Sequence, residues 1–285
     1  MLIAKQMSGK TRYSVAFQGE RGAFSQAAAQ KFLGDRAAAR PCPSFASVFA
    51  ALARGKVTHA VIPIENTLHG SVHENYDHLL EYDLPIVSET SVRISHQLIA
   101  MPGVRFRDIR TVFSHPVALN QCRGFFEKHK QIQAAPFYDT AGSVKMLRAE
   151  NPAAAAAIAS AGAAEIYGGV ILRRNIEDDR RNFTRFFLLT KQKQPARPDT
   201  AGWKTSVVFS TANVPGALFK AMACFALRDL NLTKIESRPL RGKPWEYLFY
   251  LDLMGSKDDT LVQRALADLA EISQFIKILG SYKPI

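Results

Sequence analysis

Asn182-Phe183-Thr184-Arg185-Phe186-Phe187-Leu188-Leu189 ends a series of short apolar runs, and the spacing of that series decides the fold class. Toward the N-terminus the earlier runs are AAAAIA (154–159), AAPFY (134–138), RTVF (110–113), HAVIPI (59–64) and YSVAF (13–17). Between them lie segments whose apolar residues return every three or four positions: SFASVFAALARG (44–55), SVHENYDHLLEY (71–82), PVALNQCRGFFEKHK (116–130) and TAGSVKMLRAEN (140–151). Period-four segments between short apolar runs predict helices between strands, an α/β fold on largely parallel sheets. The alanine run around 153–157 is too short for an independent helix and is expected as a buried strand.

After Leu189 the pattern changes. Lys191 to Lys204 (KQKQPARPDTAGWK) is rich in Gln, Lys, Pro and Gly and reads as an exposed connection. Beyond it come a strand (TSVVFST, 205–211), a helix from about Pro215 to Asp229 and two strands (LTKIESRPL, 232–240; WEYLFYLDLM, 245–254) around Arg241-Gly242-Lys243. A helix near 261–270 and a last strand near Ile278 complete it. That order, βαββαβ, is ferredoxin-like. The expected division is 13–191, a linker at 192–203, and 204–285.

Of the 285 residues 47% are hydrophobic and 22% charged, a soluble globular balance. No apolar run approaches the roughly 20 residues that span a bilayer, and Met1 to Arg12 lacks a signal-peptide core. A cytoplasmic protein without membrane partners is expected, or one of the plastid stroma if it is a processed plant or algal protein. Cys42, Cys122 and Cys224 are far apart and suit core positions better than a metal site or disulfides. The net charge of +12 is scattered and accompanies no nucleic-acid-binding motif, so an anionic small substrate is expected rather than nucleic acid. His69, His73 and Glu74 read as a solvated face rather than a metal pair.

Ligands in open α/β sheets collect beyond the carboxyl ends of strands. There this chain places Gly19–Ser25, Glu65-Asn66-Thr67, Ser114-His115-Pro116 and Asp139-Thr140. Each also reads as a cap or turn, and without GxGxxG or a Walker lysine the glycines do not mark a nucleotide site. Thr184 and Arg185 put a hydroxyl and a cation at the edge of the core.

GERGAFS (19–25), PIENTLHGSVHENYD (63–77), SHPVALNQC (114–122), DTAG (139–142) and NFTRF (182–186), in that order, resemble the prephenate dehydratase family, arogenate dehydratases included. Gly216-Ala217-Leu218-Phe219 and Asn231 to Pro239 resemble its C-terminal ACT domain. The resemblance implies two α/β subdomains like a type II periplasmic binding protein with the site in their cleft. It also implies loss of carbon dioxide and water from prephenate to leave phenylpyruvate, without a cofactor or metal, and feedback by phenylalanine. Arogenate is the alternative substrate; a non-catalytic amino-acid or dicarboxylate binder is the alternative class.

Thr184 matches the family's essential threonine and would donate to the leaving hydroxyl, with Asn66 and Glu65 as its partners in catalysis. Glu65, beside Pro63 and Ile64, is the reserve acid, held protonated by desolvation. Ser25, Thr67, Ser114, Gln121 and Thr140 would hydrogen-bond substrate oxygens, Arg185 would pair with a carboxylate, and Phe24 and Phe186 would form an apolar wall. Ala23 stands where many members carry Thr and offers no donor. The expected phenylalanine site joins Val214, Gly216, Ala217 and Leu218 to Asn231, Leu232, Glu236, Ser237 and Arg238. A homodimer or homotetramer through the ACT domains is expected, because a lone sheet edge invites pairing.

Overall fold

A computed structural model describes residues 13–192, 200–240 and 246–284. The first twelve residues, positions 193–199 of the expected linker and the expected turn at Arg241-Gly242-Lys243 lie outside the described residues. In chain order the elements begin β1 (Tyr13–Gln18), α1 (Phe24–Leu33), β2 (Ala37–Cys42), α2 (Phe45–Ala53), β3 (His59–Asn66), β4 (Gly70–Ser71), α3 (His73–Glu81) and β5 (Ile86–Arg93). They continue with β6 (Gln97–Ala100), β7 (Thr111–Ser114), α4 (Pro116–Asn120), α5 (Arg123–Lys128), β8 (Gln133–Pro136), α6 (Thr140–Glu150), β9 (Ala155–Ala159) and α7 (Ala161–Tyr167). The rest are β10 (Val170–Arg173), β11 (Phe183–Thr190), β12 (Lys204–Thr211), α8 (Ala217–Ala226), β13 (Leu232–Pro239), β14 (Tyr247–Met254), α9 (Thr260–Ile272) and β15 (Ser273–Pro284).

The chain divides into two compact units, one formed by residues up to Val72 with Ser91–Phe186, the other by His73–Thr90 with Phe187–Ile285. The first unit holds two sheets. In one, β1 lies parallel between β2 and β3, and β11 runs along the other side of β3. The second has the order β10-β6-β9-β7-β8, with β7 parallel to both its neighbours and β6 antiparallel to β9 and β10.

The alanine run becomes β9, every residue of which is buried. Its alternation sends Ala155, Ala157 and Ala159 into one apolar cluster with Val144 and Leu147 of α6, and Ala156 and Ile158 into another with Leu119 and Phe125. A strand covered on both faces needs no polar partner residues, and alanine lets both layers approach closely. The helix expected over 116–130 is interrupted. Asp178 accepts from the backbone N–H groups of Arg123 and Gly124, each at 2.9 Å, and so starts α5 afresh. Gln121 and Cys122 are left in the corner between α4 and α5.

In the second unit the expected βαββαβ order is present, with sheet order β13-β14-β12-β15 followed by β5. The first three contacts are antiparallel and β15–β5 is parallel. Val207, Phe209, Leu251 and Leu253 pack on one face against Ala221 and Phe225 of α8 and Val262 and Leu269 of α9. The opposite face receives α3: Tyr76 and Tyr250 meet edge to face at 4.7 Å, and Lys277 donates to the carbonyls of Leu79, Leu80 and Tyr82 at the helix end. Gly280 is required, since a Cβ there would sit 2.3 Å from the Ile86 carbonyl oxygen of β5.

Candidate functional site

The end of β3 and the start of β11 lie side by side, and their polar groups interlock. Asn66 Oδ1 accepts from the backbone N–H of Leu68 and of His69, both at 3.0 Å. Two fixed donors on one side settle which way the amide faces, so Nδ2 points across to β11. There it lies 2.7 Å from Asn182 Oδ1, 3.1 Å from Phe183 O and 3.0 Å from Thr184 Oγ1. Because Thr184 Oγ1 accepts from Asn66, its own hydroxyl proton is directed elsewhere and has no acceptor among the described residues. That leaves the donor free for a ligand oxygen.

Thr67 closes the same junction from its other end: its N–H donates to Phe183 O at 2.9 Å, its hydroxyl donates to Arg181 O at 2.8 Å and accepts from Phe183 N at 3.0 Å. The hydroxyl expected to meet substrate is thus engaged in holding β11 in register.

Strand alternation separates the other pair. Thr184 and Phe186 share one face of β11 while Arg185 takes the opposite one, as Glu65 does relative to Asn66 on β3. Arg185 Nη1 and Glu65 Oε2 are 3.8 Å apart. Glu65 is therefore partly exposed and faces a cation, not the apolar enclosure expected from Pro63 and Ile64. Phe186 is enclosed in the core, so in this conformation it offers no open wall.

Gln121, in the corner between α4 and α5, reaches this junction from the second sheet: its Nε2 lies 3.2 Å from His69 Nδ1, and its Oε1 lies 2.7 Å from His96 Nε2. His69 Nδ1 is itself 3.3 Å from Asn66 Oδ1. Phe24, the first residue of α1, meets the His96 ring edge-on at 5.7 Å. Ser114 is fully buried and donates to Ile158 O at 2.6 Å, tying β7 to β9. Ser25 is buried in α1, and Thr140 opens α6 behind its cap Asp139. None of these last three is joined to the Thr184 group by a described hydrogen bond. Ala23 lies in the apolar core.

Asp139 accepts from Gly142 N at 2.7 Å. Burial pushes its carboxyl above the ordinary range, with the Gly142 N–H opposing and the Glu20 charge adding to the rise. Glu20 in turn accepts from Tyr138 OH at 2.9 Å and from Lys145 at 3.0 Å. Gly19 is needed beside this carboxyl, for a Cβ there would lie 2.9 Å from Asp139 Oδ2. No group of three or more metal-ligating side chains occurs among the described residues.

In the second unit Val214, Gly216, Ala217 and Leu218 line a pocket of about 320 Å³ with Asn213, Phe219, Tyr247 and Phe249. Gly216 adopts φ +77° at the N-cap of α8, a left-handed turn suited to glycine. The 231–239 segment divides by face. Ser237 pairs with Phe249 on the pocket's face, whereas Glu236 and Arg238 turn toward α3, at 3.2 Å from His73 and 3.4 Å from Asp77. Asn231 is exposed, its carbonyl accepting from Met254 N at 2.8 Å; Leu232 packs against the helix-side core.

The prephenate dehydratase family matches residues 15–194, well over half of the chain. The chain belongs to that family. Arogenate dehydratase/prephenate dehydratase 2, chloroplastic, of Arabidopsis thaliana is 46% identical over 290 residues, spanning 98% of this chain and 75% of that protein. Among solved structures, prephenate dehydratase in complex with L-Phe from Arthrobacter aurescens is 34% identical over 95% of this chain and 89% of that one, with a TM-score of 0.85. GqqA, described as a novel type of quorum quenching acylases, is 35% identical over 95% and 98%, with a TM-score of 0.89.

Three residues of this polar cluster escaped the sequence reading. Asn182 stood inside the quoted NFTRF motif without a role, yet it is buried and accepts from Asn66. His69 was assigned to a solvated face, and His96 carried no motif. Only an i to i+3 turn from Asn66 to His69 was available in the sequence to hint at the second.

Proposed function

We infer that this chain is a carbon–oxygen lyase that converts prephenate to phenylpyruvate, carbon dioxide and water in phenylalanine biosynthesis. The observation that carries the reading is the orientation of Thr184: Asn66 occupies its lone pair, so its proton is presented to the departing hydroxyl. An alcohol is too weak an acid to protonate a leaving group outright, so Thr184 acts by hydrogen bonding as charge develops on that oxygen. Arg185, on the other face with Glu65, holds a carboxylate of the substrate or positions the strand. No cofactor takes part.

Arogenate, with an amino group in place of the keto oxygen, is the second reading, favoured by the plant relative whose name carries both activities. Residues 13–191 form the catalytic region, 192–203 the connection and 204–285 an ACT regulatory domain whose pocket takes the phenylalanine ring. Phe219, 77% exposed beside that pocket, supports assembly as a dimer or tetramer through this domain. A cytoplasmic or plastid-stromal setting fits the absence of a membrane-crossing helix among the described residues.

Side-by-side rates of the purified chain on prephenate and arogenate test the reading. Turnover of neither, with tight binding of both, would leave the non-catalytic binder; acylase activity in their place would align the chain with GqqA.

A further inference from the structure

The His96 imidazole is only 2% exposed and lies outside every motif that identifies the family. Its backbone is held firmly: the N–H donates to Glu177 Oε2 at 2.9 Å, the carbonyl accepts from Ile176 N at 3.0 Å, and Glu177 is clamped by Arg93 at 2.7 Å. Burial lowers the ring's proton affinity, with the Gln121 hydrogen bond and the Glu177 charge opposing, so the ring is neutral. One nitrogen then carries the proton, and the surroundings choose which.

Nδ1 is buried without a hydrogen-bond partner, whereas Nε2 faces Gln121 Oε1 at 2.7 Å. A proton on Nδ1 would bury an unsatisfied N–H; an unsatisfied lone pair there is the lesser cost. The proton therefore sits on Nε2 and is donated to Gln121 Oε1. Gln121 has no freedom left: with its oxygen taken, its NH2 group faces His69 Nδ1 at 3.2 Å. His69 Nδ1 then accepts, its 3.3 Å approach to Asn66 Oδ1 is a contact between two acceptors and no hydrogen bond, and the ring's proton lies on Nε2.

We propose that His96 is a positioning residue whose Nε2–H locks the Gln121 amide, so that His69, next to Asn66 and Thr184, presents its Nε2–H as a further donor to the anionic substrate. His69 is exposed and its Nε2 has no partner among the described residues, as a substrate donor requires. Gln121 is in this arrangement the link between a buried histidine and an exposed one, and its own contribution to binding acts through His69. The substrate half of the proposal rests on the dehydratase reading; the orientation half does not.

His96→Leu fills the space without a donor, whereas His96→Gln returns an amide N–H close to the position of Nε2. Loss of the orienting bond should lower kcat/KM on prephenate about tenfold in His96→Leu, the scale of one hydrogen bond. His96→Gln should recover to within about threefold of wild type. His69→Ala should show a loss similar to that of His96→Leu, and the two together should lose little more than either alone, because both break one chain. A melting temperature for each variant separates loss of fold from loss of orientation.

Full additivity of the two substitutions, or a folded His96→Leu with wild-type kcat/KM, would overturn the proposal. Nitrogen NMR of 15N-histidine-labelled protein decides the orientation half without any substrate: an Nε2–H tautomer at His96 is expected, and an Nδ1–H tautomer refutes it. A wild-type chain that turned over neither prephenate nor arogenate would overturn the dehydratase reading and the donor role of His69 together, while the NMR result would still judge the lock.

Discussion

Asn66→Asp exchanges one NH2 group for an oxygen and leaves the shape of the side chain untouched. Oδ1 keeps its two backbone donors at 3.0 Å, so the carboxylate is held in the same plane as the amide. The second oxygen then confronts Asn182 Oδ1, Phe183 O and Thr184 Oγ1, the three acceptors within reach of the two Nδ2 hydrogens. Phe183 O cannot respond; Thr184 can, by turning its hydroxyl proton inward, which withdraws it from the substrate, and Asn182 can, by turning its amide, whose Nδ2 is buried without a partner. Losing the two hydrogen bonds that Nδ2 can make at once costs about 2 kcal/mol, a fall in melting temperature of roughly 4–8 °C for a chain of this size. Turnover should fall further, by about 10²–10³, as when one positioned transition-state donor is removed. Phenylpyruvate formation at saturating prephenate, together with calorimetric melting, measures both. If the melting temperature fell as expected while kcat stayed within fivefold of wild type, the claim that Asn66 aims the Thr184 proton would be refuted.

Thr184→Ala should lower kcat at least roughly a hundredfold, with Thr184→Ser retaining more; near-normal turnover of the alanine variant would remove the hydroxyl from the mechanism. Glu65→Gln separates two roles: loss of the basic limb of the pH–rate profile would make Glu65 the acid, and an unchanged profile would leave it as the partner of Arg185. Asp139 titrates above its unfolded value because burial penalises the carboxylate, so its protonation favours the fold; that contribution is full below the unfolded pKa and is lost as pH rises through the folded one. Asp139→Asn keeps the cap on α6 and cannot ionise, so in urea melts from pH 4 to 7 it should gain on wild type as pH rises, and a constant difference would refute the assignment. Gly216→Val forces a β-branched residue into φ +77° beside the pocket and should abolish phenylalanine inhibition at unchanged uninhibited rate; calorimetry showing normal phenylalanine binding to that variant would remove the pocket from the regulatory reading.

Much of this protein was legible before any coordinates. The strands 13–17, 59–64, 110–113 and 185–189, the alanine strand and the βαββαβ order of the last part all follow from short-range periodicity, which each segment carries by itself. The opposition of Thr184 to Arg185 and of Asn66 to Glu65 was also within reach, since neighbours on a strand take opposite faces; grouping Glu65 with Asn66 and Thr184 in catalysis, and setting Arg185 beside them on the substrate, left it unused. The split of Glu236 and Arg238 from Ser237 has the same cause.

Sequence alone determined the class of fold, the family and the motifs in which the candidate site residues lie, because periodicity and motifs are local and survive without knowledge of partners. Only tertiary structure decided which atoms those residues use. Asn66 meets Thr184 across 118 positions and Gln121 meets His69 across 52, separations over which no local pattern carries information. The direction of an amide or the tautomer of a buried imidazole is set by the donors and acceptors that surround it in space, and those neighbours exist only once the strands have paired.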